Sequence, residues 1–203
     1  MKINKSNKLW KACAKDSDRP ALECIHFVSG YAYASNAHIL AKVEIPALFS
    51  LEEYELADSD KLQRAADLLS GFCLSSSTYK LLASFPNVEV TTDINEVEPV
   101  PIFVTTMGQN QVVVKCKKSG LLNTPNFEAT LKTTEERIPI EKIALNTALL
   151  ADLGEAIGID SVRMDFTQAN QKIFIHGNNP DMYDAWGIIM PQVITQSLPG
   201  FES

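Results

Sequence analysis

Residues 18–46, DRPALECIHFVSGYAYASNAHILAKVEIP, decide the fold. Three short segments rich in β-formers, ALECIHF, YAYAS and HILAKVEIP, are separated by the turn-like Ser29-Gly30 and Ser35-Asn36-Ala37, a pattern that predicts consecutive strands. In the first of them Ile25 and Phe27 point to one face and His26 to the other. That histidine is expected to be exposed or hydrogen-bonded, not catalytic.

Upstream, residues 2–15 read KINKSNKLWKACAK. At about 100° per residue, Lys5, Lys8, Lys11 and Lys15 fall within an arc of about 120° while Leu9, Trp10 and Cys13 point the opposite way, which predicts an amphipathic helix. A lysine stripe is often only a solvated face. Here the charge distribution gives it weight. Residues 1–19 hold six cations (Lys2, Lys5, Lys8, Lys11, Lys15 and Arg19) against Asp16 and Asp18, a net of +4, so the formal −7 of the whole chain leaves −11 for the rest. The overall charge argues against non-specific attraction of the whole surface to nucleic acid, so any phosphate contact must come from a local patch.

The same order, helix then three strands, recurs downstream. STYKLLASF is a helix candidate behind serines able to cap it, and NVEVTTD, PVPIFVTTM and QVVVKCKK follow as strands. NTALLADLGEAIG reads as a helix capped by Asn146 or Thr147 and closed by Gly158, with Leu149, Leu150, Leu153 and Ile157 inward. SVRMDFT, QKIFIHG and YDAWGIIMP then supply three strands, Val162, Met164 and Phe166 alternating with Arg163, Asp165 and Thr167. Between the first and second units lie the acidic LFSLEEYELADSD and the helical KLQRAADLLSG, a connecting excursion that Gly71 ends. The copies share pattern and not identity. The expected class is α+β, built from repeated units of one helix and three antiparallel strands.

A chain of 203 residues with 45% hydrophobic content can bury a core of one large or two small domains. No run approaches the roughly 20 apolar residues of a membrane span, and no secretion signal is legible, so a cytoplasmic protein without membrane attachment is expected. Cys13, Cys24, Cys73 and Cys116 form no C-x-x-C pair and lack clustered histidines; they read as buried thiols, with no metal or cofactor expected. The best local candidate for catalysis is HGNNPD, with His176 beside Asp181, and its composition is that of a turn. No phosphate loop, paired acidic metal site or Ser-His-Asp arrangement is legible, so a non-enzymatic protein is expected.

The repeated unit resembles that of the DNA sliding clamps, most closely the bacterial DNA polymerase III β type. DRPALECIHF followed by SNAHILAKVEIP is similar to the clamp stretch in which Arg-Pro leads into a strand and a Thr-Asp-Gly-His-Arg-Leu-Ala turn follows. SVRMDFTQANQKIFIHGNNPDMYDAWGIIMPQVI is similar to the last three clamp strands with their terminal Met-Pro. NTPNFEATL is a weaker match to the Phe-Pro-Asp-Tyr linker after a clamp domain. The resemblance covers about half the chain and is thin between Ala47 and Ile138. Asn36, Ala37 and Ile39 stand where the family has Asp, Gly and Arg, whereas His38 and Leu40 match.

The resemblance implies a DNA-clamp fold and a non-catalytic processivity factor or scaffold for DNA replication and repair proteins. Its alternative is a clamp-fold peptide-binding module that does not encircle DNA, and a third reading is an enzyme of unknown reaction on an α+β scaffold. Lys5, Lys8, Lys11 and Lys15 would touch double-stranded DNA without reading bases. Met190, Pro191, Val193 and Ile194 would wall a groove for short peptides of replication or repair proteins. In the tail TQSLPGFES, Gln196, Leu198 and Phe201 imitate such peptides. The last predicted helix is at odds with the DNA role, because Asp152 and Glu155 are its only charges. The family's ring of twelve half-units would require a homo-oligomer of four chains at three units each. Two divisions are open: residues 1–124 and 125–203 as successive clamp-like parts, or 1–46 with 136–195 as one clamp domain and 47–135 inserted.

Overall fold

The computed structural model describes residues 1–50, 59–132, 143–166, 171–177 and 185–192. In chain order the elements are β1 (Lys2–Ile3), 3-10 turns at Leu9–Lys11 and Pro20–Glu23, β2 (Cys24–Val28), β3 (Tyr31–Ser35), β4 (Ile39–Glu44), a 3-10 turn at Ile45–Leu48 and β5 (Phe49–Ser50). There follow α1 (Ser59–Leu69), β6 (Phe72–Ser75), α2 (Ser76–Leu82), β7 (Glu89–Asp93), β8 (Val100–Met107), β9 (Asn110–Lys115), β10 (Lys117–Lys118) and a 3-10 turn at Ser119–Leu122. The last are α3 (Phe127–Leu131), α4 (Thr147–Ile157), β11 (Val162–Asp165), β12 (Ile173–Gly177) and β13 (Ala185–Ile189).

The repeated pattern is present in this α+β fold. β2-β3-β4, β7-β8-β9 and β11-β12-β13 are each antiparallel, and each follows a helix or helical turn. The first and third sets lie in one eight-stranded sheet of order β10-β6-β2-β3-β4-β13-β12-β11, while β7-β8-β9 forms a sheet of its own. Local chemistry accounts for the helix ends. Ser75 Oγ accepts the Thr78 N–H at 3.2 Å, and Asn146 Oδ1 accepts those of Ala148 and Leu149 at 3.0 and 3.3 Å. Gly158 closes α4 at φ +73°, the left-handed conformation that only glycine adopts without strain.

The N-terminal segment departs from its expected helix. Within it only Leu9–Lys11 is helical, as a single 3-10 turn, because Lys8 at its start offers no side-chain cap and the Ala14 N–H is taken by Leu22 O at 2.8 Å. Lys2 and Ile3 pair instead with β5. The apolar side still faces inward: Leu9 is 0% exposed, Cys13 is buried, and Trp10 is half-buried with its ring 6.2 Å from that of Tyr79. β6 and α3 were not expected from the sequence, whereas Lys117 and Lys118, expected at the end of the strand QVVVKCKK, form the separate short strand β10 against β6.

One main core joins Ile25, Phe27 and Val43 of the sheet to Leu69, Leu82, Leu153 and Ile157 of the helices. A second cluster lies around Tyr33, Leu40, Phe174 and Ile188, which alternate with main-core residues along their strands, and Phe127 of α3 covers it. His26 lies on this second side, fully buried, its Nε2–H donating to Ala21 O at 2.7 Å and its Nδ1 3.2 Å from Ser119 Oγ. Burial holds its pKa below the ordinary imidazole value, against the raising effect of the bond to Ala21. All four cysteines are free and buried, and burial pushes Cys116 up to about 12. Among the described residues no helix is long and apolar enough to cross a membrane, and no cluster of side chains could hold a metal ion.

Candidate nucleic-acid face and peptide groove

The Leu9–Lys11 turn lies against α4 and α2, and this decides what its lysines meet. The Lys8 N–H donates to Glu155 O at 2.9 Å, which draws the segment onto α4. Residues three apart eclipse one another in a 3-10 turn, so Lys8 and Lys11 reach the same side. Lys8 Nζ is 2.7 Å from Glu155 Oε2, and Lys11 Nζ is 3.1 Å from Asp152 Oδ1 and 3.7 Å from Glu155 Oε1. The hydrogen bond and charge of Asp152 raise the Lys11 pKa, and the Lys8 ammonium draws the Glu155 carboxyl below its ordinary value. The two acids that count against DNA on α4 are therefore counterions of the lysine patch. Lys5 and Lys15 are exposed, as is Lys80 on α2, a cation that the stripe in residues 2–15 could not reveal.

The second surface lies where β4 meets β13. Ahead of β4, Asn36 Oδ1 accepts the N–H groups of His38 and Ile39, both at 2.9 Å, and Ser35 Oγ donates to Ile39 O at 2.7 Å. These bonds hold Ala37 at φ +75°, where the clamp stretch has glycine. Left-handed backbone costs a non-glycine residue about 1–2 kcal/mol. Ala37→Gly is therefore expected to stabilise the protein by up to about 1 kcal/mol, the gain net of glycine's greater freedom in the unfolded chain. Urea unfolding checks this, and a loss of stability would show that the turn is not strained.

β13 pairs with β4 through Ile189↔Ile39, Ile188↔Leu40 and Gly187↔Ala41, and the Met190 N–H then donates to His38 O at 2.9 Å. Met190 is 42% exposed, Pro191 half-buried and His38 exposed, beside the buried Leu40 and Ile188. Val193, Ile194 and the tail with Gln196, Leu198 and Phe201 lie outside the described residues. Sequence reading did not assign Leu40 and Ile188 to this seam, nor Phe127 to the cluster that they share, where it stacks on Tyr33. Period-two alternation in β4 and β13 could have placed the first two, whereas Phe127 read as part of a linker. His176, the enzyme-like candidate, has its Nε2 3.4 Å from Asp165 Oδ2 and stacks on Trp186, while Asp181 lies outside the described residues.

No family model matches the chain, and no curated protein matches it in sequence. Solved structures do match. A DNA polymerase sliding clamp from Pseudomonas aeruginosa is similar with a TM-score of 0.54 and 14% identity, over 95% of this chain and 65% of that one. The DNA polymerase III subunit β from the same bacterium gives 0.55 and 14%, over 94% and 66%. The β subunit from Streptococcus pyogenes gives 0.54 and 11%, over 95% and 62%. Helix-plus-three-strand units, a sheet continuous through β4 and β13, and these matches agree: the chain has the DNA-clamp fold of the bacterial β sliding clamps, and it spans about two thirds of their length.

Proposed function

We propose that this chain is a non-catalytic, clamp-like scaffold for DNA replication or repair proteins, holding short partner peptides at the β4–β13 seam and duplex DNA at the lysine face. One observation carries the reading. SNAHIL and IIMPQ, far apart in sequence and each similar to a clamp stretch, meet through the Met190 N–H bond to His38 O. Met190 suits such a seam because its unbranched thioether adapts to different apolar ligands. Lys5 and Lys15 supply exposed charge for phosphates, and Lys8 and Lys11 would exchange carboxylates for phosphates on binding.

A second reading, a peptide-binding module that does not encircle DNA, draws support from the same ion pairs. Asp152 and Glu155 already neutralise two of the four lysines. Titration of duplex DNA across a salt series separates the two readings, with the mass in solution recording whether copies assemble. The scaffold is expected to bind duplex weakly and independently of sequence, each lysine lost from Lys5, Lys8, Lys11 and Lys15 lowering the slope of log K against log salt by about 0.9. Retention of a clamp-binding peptide without DNA binding selects the module, and calorimetry that detects neither overturns both.

A further inference from the structure

Of residues 120–132, which carry α3, only Phe127 is buried. Its ring stacks on Tyr33 at 5.1 Å and 3°, tilts against His26 at 5.5 Å, and packs with Leu40, Phe174 and Ile188. Leu131, one helical turn on, packs half-buried against the same cluster, while Glu128, Ala129 and Thr130 between them are exposed. A short stretch that seats a ring and a leucine four residues later, with everything between them in water, lies as a bound peptide helix lies in a groove. The covered cluster is continuous with the seam. Side chains two apart on a strand share a face, and the bond from the Met190 N–H to His38 O carries the β4–β13 ladder one residue beyond Ile39 and Ile189. His38 and Met190 therefore lie on the side of Leu40 and Ile188, where Phe127 sits. Met190 at the outer end is 42% exposed, whereas Leu40 and Ile188 beneath Phe127 are 4% and 2% exposed.

We propose that α3 is an internal plug: Phe127 fills the inner end of the peptide site at the β4–β13 seam, and a partner peptide with an aromatic ring and an aliphatic side chain four residues on displaces it. The inference rests on the reading of that seam as a peptide site, and adds the chemistry of the ligand and the step that admits it. α3 suits the role because it is lightly held. Its five residues are too few for helix propensity to sustain them. Asn126 Oδ1 accepts the Ala129 N–H at 2.9 Å, and Lys172 Nζ donates to Thr130 O and Lys132 O at the other end. Phe127 is the one buried anchor between these ties. A tethered occupant competes at high effective concentration, so a partner's apparent affinity is its intrinsic affinity reduced by the fraction of molecules in which α3 is undocked.

The test uses the segment itself as the probe. A labelled peptide of residues 123–132, NTPNFEATLK, is titrated by fluorescence anisotropy into the parent, Phe127→Ala and Lys172→Met, with circular dichroism verifying each fold. It is expected to bind Phe127→Ala at least about tenfold more tightly than the parent, with Lys172→Met between the two. The same peptide with alanine in place of phenylalanine should bind none of them. In the parent, the Ala129 and Thr130 amides should exchange hydrogen at least about tenfold faster than those of Tyr33 and Ala41 in the central strands, since α3 opens without unfolding the sheet. Exchange of all four at one rate, which needs no variant to fold, would overturn the plug, as would equal binding of the peptides with and without the ring. A clamp-binding peptide titrated in parallel separates plug from seam. If its affinity is the same for parent and Phe127→Ala while the segment peptide binds neither, the plug is wrong and the seam stands. If the segment peptide alone binds Phe127→Ala, the site under α3 stands and the seam reading falls.

Discussion

Leu9→Ala is expected to destabilise the protein by about 2–5 kcal/mol, the range for deleting a fully buried leucine whose site cannot collapse. Leu9 is 0% exposed, in a three-residue turn that packs on both α2 and α4. The turn has no side-chain cap and is too short for helix propensity to sustain it. Tertiary burial must hold it, and Leu9 is the buried side chain inside the turn. The loss should reach the proposed duplex binding as well, because the same segment presents Lys8 and Lys11. Urea unfolding measures the first effect, and the salt slope of duplex binding measures the second. A change below about 1 kcal/mol would mean that the segment is anchored elsewhere.

The second large effect is expected at Gly187. A Cβ there would stand 2.6 Å from Leu153 Cδ1 and 2.7 Å from Leu40 O. The leucine side chain can swing aside. The carbonyl belongs to the paired strand, and moving it strains the β4–β13 ladder. Gly187→Ala is therefore expected to cost about 1–3 kcal/mol and, under the proposed function, to weaken peptide binding at Met190, since the seam itself shifts. Gly120→Ala is the control: nothing lies within 4 Å of its added Cβ, and its backbone is not left-handed. Equal stability of the two variants would show that β4 and β13 do not meet as closely as this.

Much of the candidate surface was legible because its signals are local. Asn36 marks the turn before β4 by accepting two backbone N–H groups within three residues of itself, and Ile25, His26 and Phe27 alternate because a strand has period two. Asn146 and Gly158 bound α4 for reasons contained in α4. The lysine patch in residues 1–19 is visible as composition. The environment of those lysines is not, since Glu155 and Asp152 lie more than 140 residues away.

By itself, then, the sequence determined the α+β class, most strands, the helix ends and the concentration of positive charge near the N-terminus. Tertiary structure alone decided that residues 2–15 form a strand and one turn in place of a helix, that Lys8 and Lys11 are paired, and that Met190 meets His38. It also decided that Phe127 of α3 covers Tyr33. The physical reason is the reach of the interactions. Caps, turns and periodicity depend on neighbours a few residues away, whereas strand partners and counterions are chosen by packing between segments whose separation in sequence carries no local signal.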